Sequence, residues 1–298
     1  MIVEVVLRTR SAAYNVSDMG TMLEHYMGQD EGTRLTRTGH GRLEQLRTRE
    51  LLTRHLPAAP ARVLDIGGGT GVHAAWLVAQ GYNVHLIDPV PIHVERAREH
   101  HGVTAAEGDA RNLVQDDASA DAVLLLGPLY HLVERADRLT ALREAHRVLR
   151  PGGIVAVAAI TRYMALLTYC ADGELNADRL RRLLPTLSTG RYDPSLDFTD
   201  AYFHHPEELA TELRQGGFED VRVFGVEGPG WTAVDAAGAD GGRLMDSALL
   251  CARALEEDPA MLSANAHLLA VGRRLTSRRD GARRYVGSLQ KHPETDPR

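Results

Sequence analysis

From residue 40 onward, short runs of apolar, often β-branched residues alternate with stretches whose apolar positions recur at helical spacing. Leu43, Leu46, Leu51, Leu52 and Leu56 share that spacing and predict a helix over Leu43–Leu56, ended by Pro57 and Pro60. Arg62–Ile66 reads as a buried strand, followed by a glycine turn and a helix over Val72–Gln80. Tyr82–Ile87, Val103–Ala106 and Asp121–Leu126 predict three more strands, with a helix over Ile92–His101 between the first two. Ala136–Leu149 predicts a helix stopped by Arg150-Pro151-Gly152-Gly153, and Ile154–Ile160 predicts a fifth strand. Continuously apolar strands separated by helices are what a parallel sheet covered on both faces requires.

After Ile160 the rhythm changes. Thr161–Asp197 holds two helical patterns, one of them Ala177–Leu184, and no strand pattern; it predicts a helical lid inserted at about residues 161–200. His205-Pro206-Glu207-Glu208 opens the next helix, with proline at the first helical position and acids in the first turn. Gly216-Gly217 ends it. Val221–Val226 and Ala266–Val271 predict an antiparallel edge pair, with a helix over Gly242–Leu255 between them. The expected fold is α/β: a doubly wound, seven-stranded, mostly parallel sheet over residues 41–272, an N-terminal helical cap over 1–40, and a disordered basic tail over 273–298.

Composition narrows the class. The chain has 298 residues, 44% hydrophobic and 25% charged, which is ordinary for a globular protein. Its two cysteines, Cys170 and Cys251, make neither a disulfide framework nor a C-x-x-C zinc site, so a reducing, cytoplasmic setting and no metal are expected. No run approaches the roughly 18–20 apolar residues of a membrane span. The apolar start is interrupted by Glu4 and followed by Arg8 and Arg10, the wrong order for a signal peptide. Eight of the 34 basic residues and three of the 40 acidic ones lie beyond position 272, leaving 26 against 37, a net −11, on the rest. An acidic body gives no electrostatic footprint for nucleic acid. A small-molecule partner, without nucleic acid or membrane, is the expectation; periodicity says nothing about subunit number.

The strongest chemical signal is Val63-Leu64-Asp65-Ile66-Gly67-Gly68-Gly69-Thr70-Gly71. An acid at a strand end is followed by Gly67, Gly69 and Gly71, and the helix starts at once. Glycine permits the positive φ of a sharp turn and lets a ligand press on backbone N–H groups at the helix start. The strict dinucleotide register G-x-G-x-x-G fails, because the sixth position counted from Gly67 as the first is Val72, and from Gly69 is Ala74. Ile87-Asp88-Pro89 closes the second strand, where the Asp88 carboxylate can accept both hydroxyls of a ribose. Gly108-Asp109-Ala110 follows the third strand, with Asp109 placed to accept from an adenine amino group and the Ala110 N–H placed to reach a ring nitrogen.

These three motifs, in order after strands one, two and three, resemble the class I S-adenosylmethionine-dependent methyltransferases. Asp121–Leu126 as strand four and Arg147-Val148-Leu149-Arg150-Pro151-Gly152-Gly153 before strand five extend the likeness, which covers roughly Leu43–Ile160. The resemblance implies S-adenosylmethionine as cofactor, its methionine moiety over the glycine loop, and the Leu126 carbonyl receiving its amino group.

After strand four the chain reads Gly127-Pro128-Leu129-Tyr130-His131-Leu132, not the Asp/Asn-Pro-Pro-Tyr/Phe of enzymes that methylate amide or exocyclic nitrogens. It is similar to the small-molecule and natural-product branch, which implies methyl transfer to oxygen, nitrogen or carbon of a secondary metabolite. His131 is the candidate general base, since a histidine suits deprotonation near neutral pH. Tyr26, Tyr130, Tyr202 and His204 are candidate substrate contacts. The successive His204-His205 pair is not a metal site, because neighbouring side chains point apart. Arg47 reads as a surface arginine able to clamp a carboxylate. Two rival readings are a cofactor-sensing or scaffold protein that has lost the chemistry, and an NAD-dependent oxidoreductase, which the missing sixth-position glycine disfavours.

Overall fold

The computed structural model describes residues 34–196, 198–238 and 241–275. In chain order its elements are α1 (Arg34–Arg37), α2 (Gly39–His55), β1 (Arg62–Ile66), α3 (Val72–Ala79), β2 (Asn83–Asp88), α4 (Pro91–Arg98), β3 (Thr104–Glu107), β4 (Ala120–Leu125), α5 (Pro128–His131), α6 (Arg135–Val148), β5 (Leu149–Ile160), α7 (Met164–Ala171), α8 (Ala177–Thr189), α9 (Pro206–Gln215), β6 (Glu219–Gly225), α10 (Trp231–Ala236), α11 (Gly242–Leu255) and β7 (His267–Arg273). The cap foreseen over 1–40 and the tail beyond 273 lie almost wholly outside the described residues.

The strands form one sheet in the order β3-β2-β1-β4-β5-β7-β6. β1 to β5 pair in parallel, and β7 runs antiparallel to both β5 and β6. Each central strand is apolar on both faces because helices cover both. Leu64, Ile66, Val123 and Leu125 pack on one side with Leu139 and Leu142 of α6. Val63, Ala122 and Leu124 point to the other side, against Leu51 and Leu52 of α2 and Leu77 of α3. Fully burying a side chain of this size contributes about 1.5–3 kcal/mol each, so the alternation fixes the register of the whole sheet.

The chain runs outward from β1 to β3, then restarts at β4 on the other side of β1. The crevice beyond the carboxyl ends of β1 and β4 is therefore the topological switch point, where open α/β sheets bind ligands. The segment between β5 and α9 carries α7 and α8 and has a small core of its own, in which Tyr169, Leu183, Tyr192 and Phe203 adjoin Ile160.

Three details differ from the sequence pattern. β5 begins at Leu149, not Ile154, because Pro151-Gly152-Gly153 forms an irregularity within the strand: Leu149 pairs with Ala120 before the register shifts. α8 passes through Pro185 and stops only at Gly190, whose φ of +83° ends the helix. Arg47 is fully buried rather than on the surface; its Nε donates to the Val226 carbonyl at 3.1 Å and its Nη2 to Glu256 at 2.6 Å, fastening α2 to the β6 side of the sheet. Among the described residues no helix is long and apolar enough to cross a membrane.

Candidate active site

The glycine loop turns the chain from β1 into α3 at the switch point. Gly67 has φ +69° and Gly69 φ +57°, a region that side chains rarely adopt. A Cβ on Gly67 would lie 2.6 Å from the Pro128 ring, so the loop and the start of α5 close on each other only because it is absent. At Gly69 the equivalent space is open. The Gly69 N–H donates to Asp88 Oδ2 at 2.9 Å, and the Gly67 N–H donates to the Ile87 carbonyl at 2.6 Å.

Two carboxylates stand below and beside this loop. Asp65 is 1% exposed, and neither of its oxygens has a hydrogen-bond partner among the described residues. Burial, helped by the neighbouring charge of Asp88, pushes its carboxyl up to about 7. Asp88 is also buried but well supplied: besides Gly69 it accepts from the Val90 N–H at 3.0 Å and contacts His93 Nδ1 at 3.1 Å. Farther along, the Asp109 carboxylate is gripped by Arg111, whose Nη2 lies 2.6 Å from Oδ2 and whose backbone N–H donates to Oδ1 at 2.8 Å.

One cavity joins these parts. Asp65, Gly67, Gly69, Asp88, Pro89, Asp109, Ala110 and Leu126 all line it, as do Tyr130 and His131 on α5. Gly71 lies just outside that lining and starts α3 with φ +85°. The His131 ring stands 4.6 Å from that of Tyr130 and 5.9 Å from that of Phe198, centroid to centroid.

Other expected contacts are not brought to the cavity. His204 is fully buried, with Nε2 3.3 Å from Glu212, which itself holds Arg138 in a two-pronged pair. Tyr202 lies under the Arg138 guanidinium at 3.7 Å and donates its backbone N–H to the Tyr130 carbonyl at 2.8 Å, so it braces α5 from behind. Neither lines the cavity. Tyr26 lies outside the described residues.

The cavity also has walls that the sequence did not single out: Glu44 and Thr48 of α2, Val226 after β6, and His267 at the start of β7. His267 Nδ1 lies 2.5 Å from Glu227 Oε1, and His40 Nε2 lies 3.4 Å from the same oxygen. Burial opposes ionisation of Glu227, but the charges and hydrogen bonds of His267 and His40 outweigh it and hold the carboxyl far below its ordinary range. One local signal existed: His40 and Glu44 are four residues apart, hence on one face of a helix.

Residues 63–153 match the family described as methyltransferase domain. An uncharacterized methyltransferase of Mycobacterium tuberculosis is 42% identical over 108 residues, 36% of this chain and 43% of that protein. The chain thus spans less than half the length of the first such relatives. The ubiquinone biosynthesis O-methyltransferase of Xylella fastidiosa is 31% identical over 188 residues, covering 61% of this chain and 70% of the relative. Among solved structures, a methyltransferase of Methanosarcina mazei superimposes with TM-score 0.53 at 19% identity, over 76% of this chain and 98% of that one. A Thermotoga maritima methyltransferase described as a possible histamine N-methyltransferase gives 0.53 at 22%, over 85% and 98%. The switch-point cavity and the seven-stranded order define a ligand-binding α/β protein of the methyltransferase architecture. The chain belongs to the class I S-adenosylmethionine-dependent methyltransferases, a family whose cofactor is S-adenosylmethionine.

Proposed function

We propose that the protein transfers a methyl group from S-adenosylmethionine to an oxygen, nitrogen or carbon nucleophile of a small molecule. The observation that carries this reading is Asp65, a buried carboxylate without a hydrogen-bond partner among the described residues, beside a glycine loop whose Gly69 leaves open space. An unpaired buried carboxylate is costly unless a cation reaches it, and the ammonium and sulfonium of the cofactor are cations. The residues therefore fit the group.

When bound, S-adenosylmethionine would supply an electrophilic methyl on its sulfonium, with neutral S-adenosylhomocysteine as the leaving group. The chain's residues do the rest. Gly67, Gly69 and Gly71 let the backbone approach the methionine end, with the Leu126 carbonyl and Asp65 receiving its ammonium. Asp88 and Pro89 bound the ribose. Asp88 offers about four lone-pair directions and already meets three protein partners, which leaves one direction that would accept from a ribose hydroxyl. Asp109 and the Ala110 N–H face the adenine. His131 on α5 accepts the acceptor's proton. Holding nucleophile and methyl in line supplies about 7–11 kcal/mol of the barrier reduction, and a general base adds about 10²–10⁴-fold.

A small-molecule acceptor is supported by the net −11 over residues 1–272 and by the relatives' names. One acts in ubiquinone biosynthesis. Another, from Oryza sativa, is a 2-methyl-6-phytyl-1,4-hydroquinone methyltransferase, 30% identical over 195 residues, 63% of this chain and 47% of that protein. The test is calorimetric titration with S-adenosylmethionine and S-adenosylhomocysteine, followed by label transfer from methyl-labelled donor to a panel of phenols, hydroquinones, amines and enols. Saturable heat and transfer are expected. No heat with either ligand overturns the reading; heat without transfer to any acceptor favours the sensing or scaffold alternative.

A further inference from the structure

Glu44 and His267, on the cavity wall, belong to a side-chain cluster that methyl transfer as described does not use. His40, Glu44, Glu227 and His267 each place one ligand-type atom within 4.8 Å of the other three. The edges of the group are short: His267 Nδ1 to Glu227 Oε1 is 2.5 Å, His40 Nε2 to the same oxygen 3.4 Å, and His267 Nδ1 to Glu44 Oε2 4.0 Å. A tetrahedral ion with bonds of about 2.0–2.2 Å sets its donors roughly 3.4 Å apart, within the spread of these edges.

The surroundings prepare the donors. Glu227 is fully buried, and its Oε2 accepts the His267 backbone N–H at 3.0 Å, which aims Oε1 at both imidazoles. The His40 ring stacks 5.6 Å from His267 and rests 4.8 Å from Trp231, which limits its rotation. Its backbone N–H donates to Asp235 at 3.1 Å, fixing the start of α2 against α10. The four donors come from α2, the segment after β6 and the start of β7, so the folded scaffold brings them together; His40 and Glu227 are 187 residues apart in the chain. Imidazoles ligate through unprotonated nitrogens, so in the loaded site the two carboxylates bring a charge of −2 in a largely buried place, which one divalent cation balances.

We propose that His40, Glu44, Glu227 and His267 bind one divalent first-row transition-metal ion. Two imidazole nitrogens with two carboxylate oxygens suit Zn²⁺ best, with Fe²⁺, Co²⁺ or Mn²⁺ as substitutes; Mg²⁺ and Ca²⁺ prefer all-oxygen shells. Because Glu44 and His267 face the cavity, expansion of the four-coordinate ion to five-coordination would admit an anionic or hydroxyl oxygen of the acceptor from that side. That last step, unlike ion binding, rests on the methyltransferase reading above.

The test uses the full chain without a histidine tag, stripped with chelator and dialysed, then titrated with ZnCl₂ by calorimetry and counted by elemental mass spectrometry. The expected result is about one equivalent of Zn²⁺ per chain and a melting temperature that rises with Zn²⁺ and falls again with chelator. Co²⁺ should give visible absorption bands of four-coordinate geometry. Glu44→Gln, at a half-buried position, keeps the fold by circular dichroism and weakens Zn²⁺ at least about tenfold; His40→Ala with His267→Ala abolishes stoichiometric binding. Less than about a tenth of an equivalent in the parent protein, or undiminished binding in the double variant, overturns the inference. S-adenosylhomocysteine is titrated into the same stripped protein. Its binding without Zn²⁺ binding sinks the metal site alone, and Zn²⁺ binding without it sinks the methyltransferase reading alone.

Discussion

The Gly69 N–H donates to Asp88 Oδ2 at 2.9 Å, so the carboxylate at the end of β2 holds the loop that follows β1. One side chain thus shapes the glycine turn and faces the cavity. Asp88→Asn keeps the size but removes the charge and part of the accepting capacity. Hydrogen bonds to charged groups are worth about 1.5–3 kcal/mol, so the dissociation constant for S-adenosylhomocysteine should rise roughly 10–100-fold. Calorimetry checks it, and a change of under threefold excludes Asp88 from the cofactor site.

Asp65 gives a prediction whose sign is opposite for stability and for binding. Its carboxyl titrates near 7 in the fold but near 3.9 in an unfolded chain. Between those values the folded state holds the extra proton, so stability falls as pH rises from about 4 to 7 and stays reduced above. Asp65→Asn removes that penalty: its melting temperature should exceed the parent's at pH 8 by at least ~2–4 °C, the equivalent of about 1 kcal/mol in a chain of this size, and match it near pH 4. The same variant should bind S-adenosylmethionine more weakly. In the parent, an ammonium beside Asp65 lowers the carboxyl's pKa, so affinity should climb with pH up to about 7; in Asp65→Asn that slope should vanish. Thermal melts and calorimetry across pH 5–8 decide both, and a flat parent profile removes Asp65 as counter-charge.

Much of this architecture is legible in the sequence pattern. β1 (Arg62–Ile66) and α11 (Gly242–Leu255) have the bounds that the pattern predicts, because continuous apolar runs and helical spacing are local signals that tertiary packing reinforced. The ends of β5 and α8 were not, since Pro151 and Pro185 normally break elements and here sit where neighbours tolerate them. At the site, the strand-end motifs were readable because Asp65, Gly67, Asp88 and Asp109 each lie within two residues of the end of a strand. His267 and Glu227 were not, because what brings His267 to the cavity wall, with Glu227 against it, is the return of β7 beside β5, a long-range pairing. His204 and Tyr202 look like pocket residues by composition, but Arg138 and Glu212, at distant positions, claim them.

That Arg138 network supports the loop after α5. The Arg138 guanidinium grips Glu212 at 2.9 Å on both prongs and donates to the Leu132 and Val133 carbonyls, at 2.9 and 2.7 Å, just past His131. Both side chains are almost completely buried. Removing one member leaves an uncompensated buried charge, at a cost of about 3–5 kcal/mol; Glu212→Ala should lower the melting temperature by roughly 10 °C. Burial opposes ionisation of Glu212, yet hydrogen bonds and charges from His204 and Arg138 bring it down to about 2. With its folded pKa depressed, its contribution is complete above about 4.5 and is lost as pH falls toward 2. Melts between pH 6 and pH 3 should therefore decline less steeply in Glu212→Ala than in the parent.

The role of His131 can be separated from that scaffold. Its ring lies on the cavity wall beside Tyr130, while the α5 backbone is held by Arg138 and Tyr202 through carbonyls of neighbouring residues. His131→Ala should therefore leave the melting temperature and S-adenosylhomocysteine affinity near the parent's while lowering turnover about 10²–10⁴-fold, the worth of a positioned base. It should also erase the acidic limb of the pH–rate profile that a histidine base imposes. An acceptor already ionised at neutral pH needs no base and should lose much less, because alignment, about 7–11 kcal/mol, dominates its rate. Steady-state rates on a phenol and on a carboxylate acceptor make the comparison, and a loss under tenfold on the phenol, with the pH profile unmoved, assigns His131 to shaping the cavity only.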